Sequence, residues 1–427
     1  MNARELLIGS FRAALTAADP LSIIPAHLPR PPAGRTLVVG AGKAAAAMAK
    51  AVDALWPAER PLEGTVITRY AHGYSAGDAP QRIRVVEAGH PVPDEAGEQA
   101  ARTIFAQARS LTSDDLLLAL VSGGGSSLLA LPVGDIPMPD LKSVTRDLLA
   151  SGAPIQDMNV VRKHLSLIQG GLLAKSTPAA VCALIISDVA GDDPSSIASG
   201  PTCADPSTYQ DAIDILNQWR VTPPLSVARH LSRGARGEIA ETPKPGDALF
   251  GRVENRLIAT AHASLSMAAA YFQQHGITPW ILGDTVTGEA RDVAQVHAAI
   301  VRQIRRHHHP LKPPVALISG GECTVTLPQS GGRGGRCSEF LLALALALGE
   351  AGAPAIACDT DGIDGSENNA GAYLSPDALA KAARAGVDAR QHLQSHDAWG
   401  FFAALKELVV TGPTRTNVND YRAILIP

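Results

Sequence analysis

From residue 36 onward, short runs of Val, Ile and Leu alternate with longer segments whose apolar residues recur at helical spacing. Apolar runs bounded by glycine, serine or aspartate predict strands buried on both faces. The helical segments between them predict crossovers covering a mostly parallel, doubly wound sheet. The first series of strands is predicted at 36–40, 65–69, 83–88, 116–121 and 183–187. The second falls at 256–260, 278–283, 315–320, 324–327, 355–359 and 409–412. Between them, residues 221–250 carry VTPPL, RGARGE and TPKPGD, a Pro/Gly- and charge-rich stretch that marks a domain boundary. The chain therefore divides into an N-terminal α/β domain over 1–235 and a C-terminal α/β domain over 236–427.

Composition supports this division. A chain of 427 residues exceeds one ordinary core, and 46% hydrophobic against 18% charged residues supplies apolar surface for two. A net charge of -4 gives no basic face for a phosphate backbone, so no nucleic-acid partner is expected. The first twenty residues alternate polar and apolar positions without a continuous apolar stretch, and the run FLLALALAL at 340–348 is far shorter than a membrane span. No membrane association is expected. Five cysteines without CxxC spacing argue against structural zinc or a disulfide framework and fit a reducing cytoplasm. Cys203, Cys323, Cys337 and Cys358 flank polar turns, but no histidine stands in a partner motif, so buried inert thiols are expected. The triple histidine His307 to His309 lies between a basic helix end and two prolines and reads as a solvated turn.

The chemistry gathers where strands end. Five apolar runs lead into polar, glycine-rich turns: SGGGSS at 122–127, SDVAGDDPSS from 187, SGGE at 319–322, DTDGIDG at 359–365 and TGPTRTNVND at 411–420. Open α/β sheets bind ligands at the carboxyl ends of their strands, so the five turns predict a polar cleft for phosphate, metal and a small substrate. The turn after the first strand, GAGKAA, has the G-x-G-x-x-A spacing at Gly40, Gly42 and Ala45. The next strand runs into Arg69 and Tyr70 without the acidic residue that would hold a ribose. Nor does it match a Walker A loop, since Leu37 and Ala44 stand where glycine and a hydroxyl are required. Lys43 at a helix N-terminus remains, suited with Gly42 to an anion. Ser122, Gly123, Gly124, Gly125 and Ser126 can fold their N–H groups into an anion nest.

In NVVRKHLS, residues Asn159, Arg162, Lys163 and His164 crowd what reads as the start of a helix, with Asn159, Arg162 and His164 facing substrate. Asp188, directly after a buried strand, suits a base or a metal ligand. Asp361 and Asp364 with Glu322 could present oxygens to Mg²⁺. Arg336, in GGRGGR at the head of an apolar helix, could fork onto phosphoryl oxygens.

In order along nearly the whole chain, GAGKAA, EAGHPVPDEAG, SGGGSSLL, NVVRKHLS, SDVAGDDPSSIASGPT, GDTVTGEAR, SGGECTVT with GGRCSEF, DTDGIDG and TGPTRTNVND resemble the signatures of the type-2 glycerate kinases with a C-terminal MOFRL domain, some of which are labelled hydroxypyruvate reductases. The resemblance implies two unlike α/β domains, the first a Rossmann-like three-layer sandwich, with the active site in the interdomain cleft. It implies ATP and a divalent cation such as Mg²⁺, with the γ-phosphoryl group passing to the 2-hydroxyl of D-glycerate. The family's lysine falls on Lys43 and its arginine on Arg336. Cys337-Ser338-Glu339 stands where Asn-Gln-Glu is expected and Ile168-Gln169 precedes Gly-Gly where lysine is commoner. A nicotinamide-dependent hydroxypyruvate reductase and a metabolite-binding regulatory module are the two rivals, and the motifs leave room for a homo-oligomer.

Overall fold

The computed structural model describes residues 1–75, 77–327 and 332–427. Its first sheet contains β1 (Thr36–Ala41), β2 (Leu62–Arg69), β3 (Ile83–Ala88), β4 (Leu116–Val121), β5 (Ala180–Ile186) and β6 (Val253–Ala259), in the order β3-β2-β1-β4-β5-β6. From β3 through β5 every neighbouring pair is parallel. This is the Rossmann strand order, whose direction of winding reverses between β1 and β4. β1 and β4 are buried along their whole length, as a sheet covered on both faces requires.

Alanine-rich sequence explains the close fit of the helix Ala45–Leu55, which buries Ala45, Ala46, Ala47, Met48, Ala49, Ala51 and Val52. Small side chains let a helix lie near a sheet without opening voids. The helix Glu95–Arg109 begins where Asp94 accepts a hydrogen bond from Gly97 N at 2.9 Å. It buries Ala100, Ala101, Ile104 and Ala108 in the core shared with Leu117, Ala119, Val181 and Ile185.

The remaining strands are β7 (Thr278–Gly283), β8 (Gly288–Glu289), β9 (Val315–Ser319), β10 (Cys323–Thr324), β11 (Ala355–Asp359), β12 (Gly371–Leu374), β13 (Leu408–Val409) and β14 (Asp420–Ile426). Six of them form a second sheet in the order β13-β12-β11-β14-β9-β7, while β8 and β10 form a separate two-stranded ribbon. Here only β7 and β9 pair in parallel; the other neighbours are antiparallel. The helix Arg336–Leu348 supplies much of this unit's core, with Cys337 through Ala345 all buried. Burying one such leucine or phenylalanine contributes roughly 1.5–3 kcal/mol.

Two α/β units result, as expected, but their limits differ from the expected 1–235 and 236–427. One comprises Ile23–Ile258; the other comprises Met1–Ser22 together with Ala259–Pro427. The first helix, Ala3–Thr16, buries Leu7, Phe11 and Ala14 against Leu265, Ala268 and Phe272, so it packs with the C-terminal sequence and not the N-terminal one. The predicted strand at 256–260 is β6, a member of the first sheet. The predicted strand at 324–327 shrinks to the short β10.

The second sheet is mixed, so the mostly parallel arrangement holds for the first unit and the two α/β units are unlike, as expected. β14 explains much of this difference. It enters between β9 and β11 and runs against both.

Candidate active site

In the first unit, β1, β4 and β5 are adjacent and parallel, so the turns that follow them emerge from the same edge of the sheet. The first two turns are tied together. Lys43 N donates to Gly123 O at 2.9 Å, and Ala44 N donates to Ser122 Oγ at 3.0 Å. Gly42 has φ +137°, and a Cβ there would lie 2.1 Å from Ser122 Oγ. Only glycine allows the two turns to approach this closely. Gly124, at φ +79°, caps the short helix Gly125–Leu128. The result places Lys43, half-buried, beside a glycine nest at the point where the winding reverses.

A hydrogen-bonded chain joins that nest to two further motifs. Ser199 Oγ lies 3.0 Å from Ser126 Oγ and 2.9 Å from Asn159 Oδ1. Asn159 Nδ2 donates to Ser196 O at 3.3 Å, and Gln169 Nε2 donates to Ser126 O at 2.8 Å. Ala198 and Ser199 hold positive φ, 52° and 58°. Two successive non-glycine residues in that region cost about 1–3 kcal/mol each and persist only where the surroundings impose them. Arg162 is largely desolvated, which pulls its pKa down. It lines a small cavity with Ser126, Ser127, Lys142, Ser166 and Gln169. That cavity measures ≈ 20 Å³, room for about one water.

The helix Ile155–His164 corrects the expected position of the basic cluster. Arg162, Lys163 and His164 fall in its last turn, where cations complement the helix dipole. His164, expected to face substrate, is turned into the interior of the unit. Its ring is buried, with Nδ1 2.8 Å from Val160 O and Nε2 3.3 Å from Glu241. Lys163 is buried against Asp205 at 3.4 Å. Burial works against the Asp205 charge, but Lys163, Ser207, His164 and Thr242 outweigh it and lower the carboxyl pKa. Asp188 is half-buried just beyond β5, on the edge that carries Lys43.

His90 escaped the sequence argument although it stands in EAGHPVPDEAG. A Cβ on Gly124 would lie 2.9 Å from its Nε2, so the imidazole packs directly on the nest. Its signal was a histidine before proline inside a motif that no expected chemistry used.

In the second unit, β9 and β11 both run against β14. The ends of β9 and β11 therefore share an edge with the start of β14. Arg336, at the head of its helix, meets carboxylates from all three. Its Nε donates to Asp420 Oδ1 at 2.8 Å and its Nη2 to Asp359 Oδ2 at 2.7 Å, with Glu322 Oε1 3.4 Å from Nη2. Desolvation opposes the guanidinium charge, yet Asp420 and Asp359 more than compensate and raise its pKa. Arg336 also lines a cavity of ≈ 360 Å³ with Gly334, Gly335, Glu339, Gly365 and His396.

The expected metal set does not assemble. Asp364 is fully buried and accepts from Cys337 N at 2.9 Å and Ser338 N at 2.8 Å, and from Ser338 Oγ at 2.5 Å. It caps the helix that Arg336 opens. Asp361 is buried and accepts from Ile363 N at 2.9 Å, while Glu322 turns to Arg336. Among the described residues no group of three His, Cys, Asp or Glu side chains could hold a metal ion. The cysteines are all free and buried. Burial pushes Cys203 up to about 11 and holds Cys323, Cys337 and Cys358 above the ordinary thiol value, so none is a ready nucleophile. His307 to His309 are exposed, as expected.

Comparison with known proteins adds the relatives. The family profile "Domain of unknown function (DUF4147)" matches residues 6–232, and the "MOFRL family" profile matches 315–420. A protein of Agrobacterium vitis named "Putative hydroxypyruvate reductase" is 51% identical, covering 100% of this chain and 95% of its own. The glycerate 2-kinase of Pyrococcus horikoshii is 39% identical over 91% of this chain and 86% of its own. The crystal structure of glycerate kinase from Thermotoga maritima superposes with a TM-score of 0.88 at 34% identity, covering 99% of each chain. The chain belongs to the DUF4147 and MOFRL family, which includes glycerate 2-kinases.

Proposed function

We propose that the protein phosphorylates D-glycerate with ATP, at the 2-hydroxyl, to give 2-phosphoglycerate. The observation that carries this reading is Lys43 beside the 122–126 nest at the reversal of the first sheet, in a chain that matches the Thermotoga glycerate kinase along its whole length. In the transfer, the bond from the γ-phosphorus to the β-bridging oxygen breaks and a bond to the glycerate 2-oxygen forms. ADP leaves with the bridging electrons, and the hydroxyl proton passes to a base. Such reactions depend mainly on positioning and on neutralising charge.

Lys43 and the N–H groups of Gly123, Gly124 and Gly125 hold anionic oxygens, with Gly42 setting the close turn. Arg336 neutralises charge as it moves, and Asp188 orients the substrate hydroxyl and takes its proton. Asn159 and Arg162 bind glycerate, the Arg162 guanidinium donating to the substrate's carboxylate. Magnesium travels with the nucleotide's phosphates, the usual arrangement where a protein offers few carboxylates. Asp361, Asp364 and Glu322 do not form a cage for it. ³¹P NMR of the product tests the regiochemistry. A 2-phosphoglycerate signal supports the reading, and 3-phosphoglycerate overturns it.

Hydroxypyruvate reduction is the second reading, favoured by the name of the Agrobacterium relative. Against it, β2 ends at Arg69 and leads into Tyr70, with no carboxylate for a nicotinamide dinucleotide's ribose.

A further inference from the structure

We infer that Arg422 is a positioning residue for Arg336, an inference that rests on the role given to Arg336 above. Arg422 lies in β14, all of whose residues are buried, and its side chain is 1% exposed. Its Nη2 holds Asp420 Oδ2 at 2.5 Å, while the other oxygen of the same carboxylate takes Arg336 Nε at 2.8 Å. Asp420 therefore meets Arg336 through one oxygen. Free of Arg422, it would have both oxygens available to close a bidentate fork, the stronger arrangement for an arginine and a carboxylate.

The same guanidinium reaches the loop that carries Glu322. Nη1 donates to Gly320 O at 2.8 Å, and Nη2 lies 3.1 Å from Cys323 Sγ. Asp420 N adds a hydrogen bond to Gly321 O at 3.0 Å. Arg422 Cζ also stands 5.4 Å over the ring of Phe340, in the helix that Arg336 opens. One buried cation thus touches a direct partner of Arg336, both ends of the loop bearing a second partner, and the helix bearing Arg336 itself.

The consequence is orientation without full neutralisation. Asp359, Asp420 and Glu322 surround Arg336, and Arg422 offsets part of that negative charge from behind. Nε and Nη2 of Arg336 are engaged, whereas Nη1 has no hydrogen bond among the described residues. A guanidinium pinned along one edge keeps donors for a phosphoryl oxygen. A merely structural pair would affect folding, since an uncompensated buried charge is costly, but it would not act through Arg336.

The experiment compares Arg336→Lys, Arg422→Lys and the double variant, in the full chain, by kcat and KM for D-glycerate and MgATP. Arg422→Lys keeps the charge but cannot bridge Asp420 and Gly320 together. It is expected to lower kcat roughly tenfold while KM for ATP stays within about threefold, because misplacement by about 1 Å is enough to cost that much. The double variant should be no slower than Arg336→Lys alone, the mark of two residues in one unit. Unchanged kcat in Arg422→Lys, or losses that multiply in the double variant, overturns the inference. If Arg336→Lys itself keeps the wild-type kcat, the role of Arg336 fails and this inference falls with it. Should Arg422→Lys not fold, Asp420→Asn, which preserves shape and removes charge, decides by the same coupling to Arg336→Lys.

Discussion

Lys43, proposed to hold a ligand's anionic oxygens, and Asp364, which satisfies N–H groups within the fold, are motif residues that call for different tests. Lys43 stands at a helix start beside Gly123 and Ser122, so Lys43→Ala should lower kcat by roughly 10²-fold or more, as loss of a charge-stabilising donor does elsewhere. Steady-state kinetics with saturating MgATP check this. Asp364 instead satisfies N–H groups of a helix end. Asp364→Ala should destabilise the protein by about 1–3 kcal/mol through the lost cap and the donors left unpaired. Thermal unfolding would show it. The Mg²⁺ concentration needed for half-maximal rate should not move; an increase would return Asp364 to the metal.

His297 carries part of the pH dependence, alongside His230, whose pKa burial also lowers. The Nδ1 of His297 lies 2.8 Å from Val293 O and its Nε2 3.0 Å from Ser319 Oγ. Burial pushes its pKa down to about 4, helped by the nearby Arg422 charge, from an ordinary 6.5. The unfolded chain therefore binds this proton first as pH falls. Stability is fully present above pH 6.5 and is lost progressively down to about 4, by about 3 kcal/mol at most. Urea unfolding across that window should show the decline, and His297→Asn should lessen it, leaving the share that belongs to His230.

At the scale of elements, apolar runs revealed β1, β4 and β5 most plainly, because strands buried on both faces leave few polar positions to confuse the pattern. The second sheet was harder to read. β14 carries Asp420 and Arg422 among its apolar residues, so the segment resembled the end of a polar loop. Yet both charges are buried, paired with each other and with Arg336. Their pairing is a tertiary fact that no local pattern records. The basic cluster at 162–164 was visible, but not whether it opened or closed its helix. Pro154 before Ile155 was the available clue, since proline commonly precedes or begins a helix. Lys163 and Asp205 lie far apart in sequence, which hid their ion pair. The prediction at this scale is that Asp205→Asn, by stranding Lys163, lowers thermal stability at neutral pH more than Asp188→Asn does, while Asp188→Asn lowers kcat more. Paired melting curves and rates on the two variants decide it.

For the whole molecule, the order of motifs was more informative than any one of them. The G-x-G-x-x-A turn alone suggested a nicotinamide site, and the chain's family includes proteins named for either activity. Both units are α/β, but the first has the Rossmann order and the second a mixed sheet through which β14 threads. The N-terminal helix joins the second unit, a long-range association invisible to a division by composition. Among the described residues no single helix is long and apolar enough to cross a membrane.

The most direct measurement places D-glycerate with ATP and Mg²⁺ beside hydroxypyruvate with NADH or NADPH, using one preparation. It reads ADP and phosphoglycerate in the first and nicotinamide oxidation in the second. ADP and 2-phosphoglycerate are expected in equal amounts, abolished by a chelator of divalent cations, with no nicotinamide oxidation. Nicotinamide oxidation without ADP formation would contradict the proposed phosphorylation and make the turn from Gly40 to Ala45 a dinucleotide site.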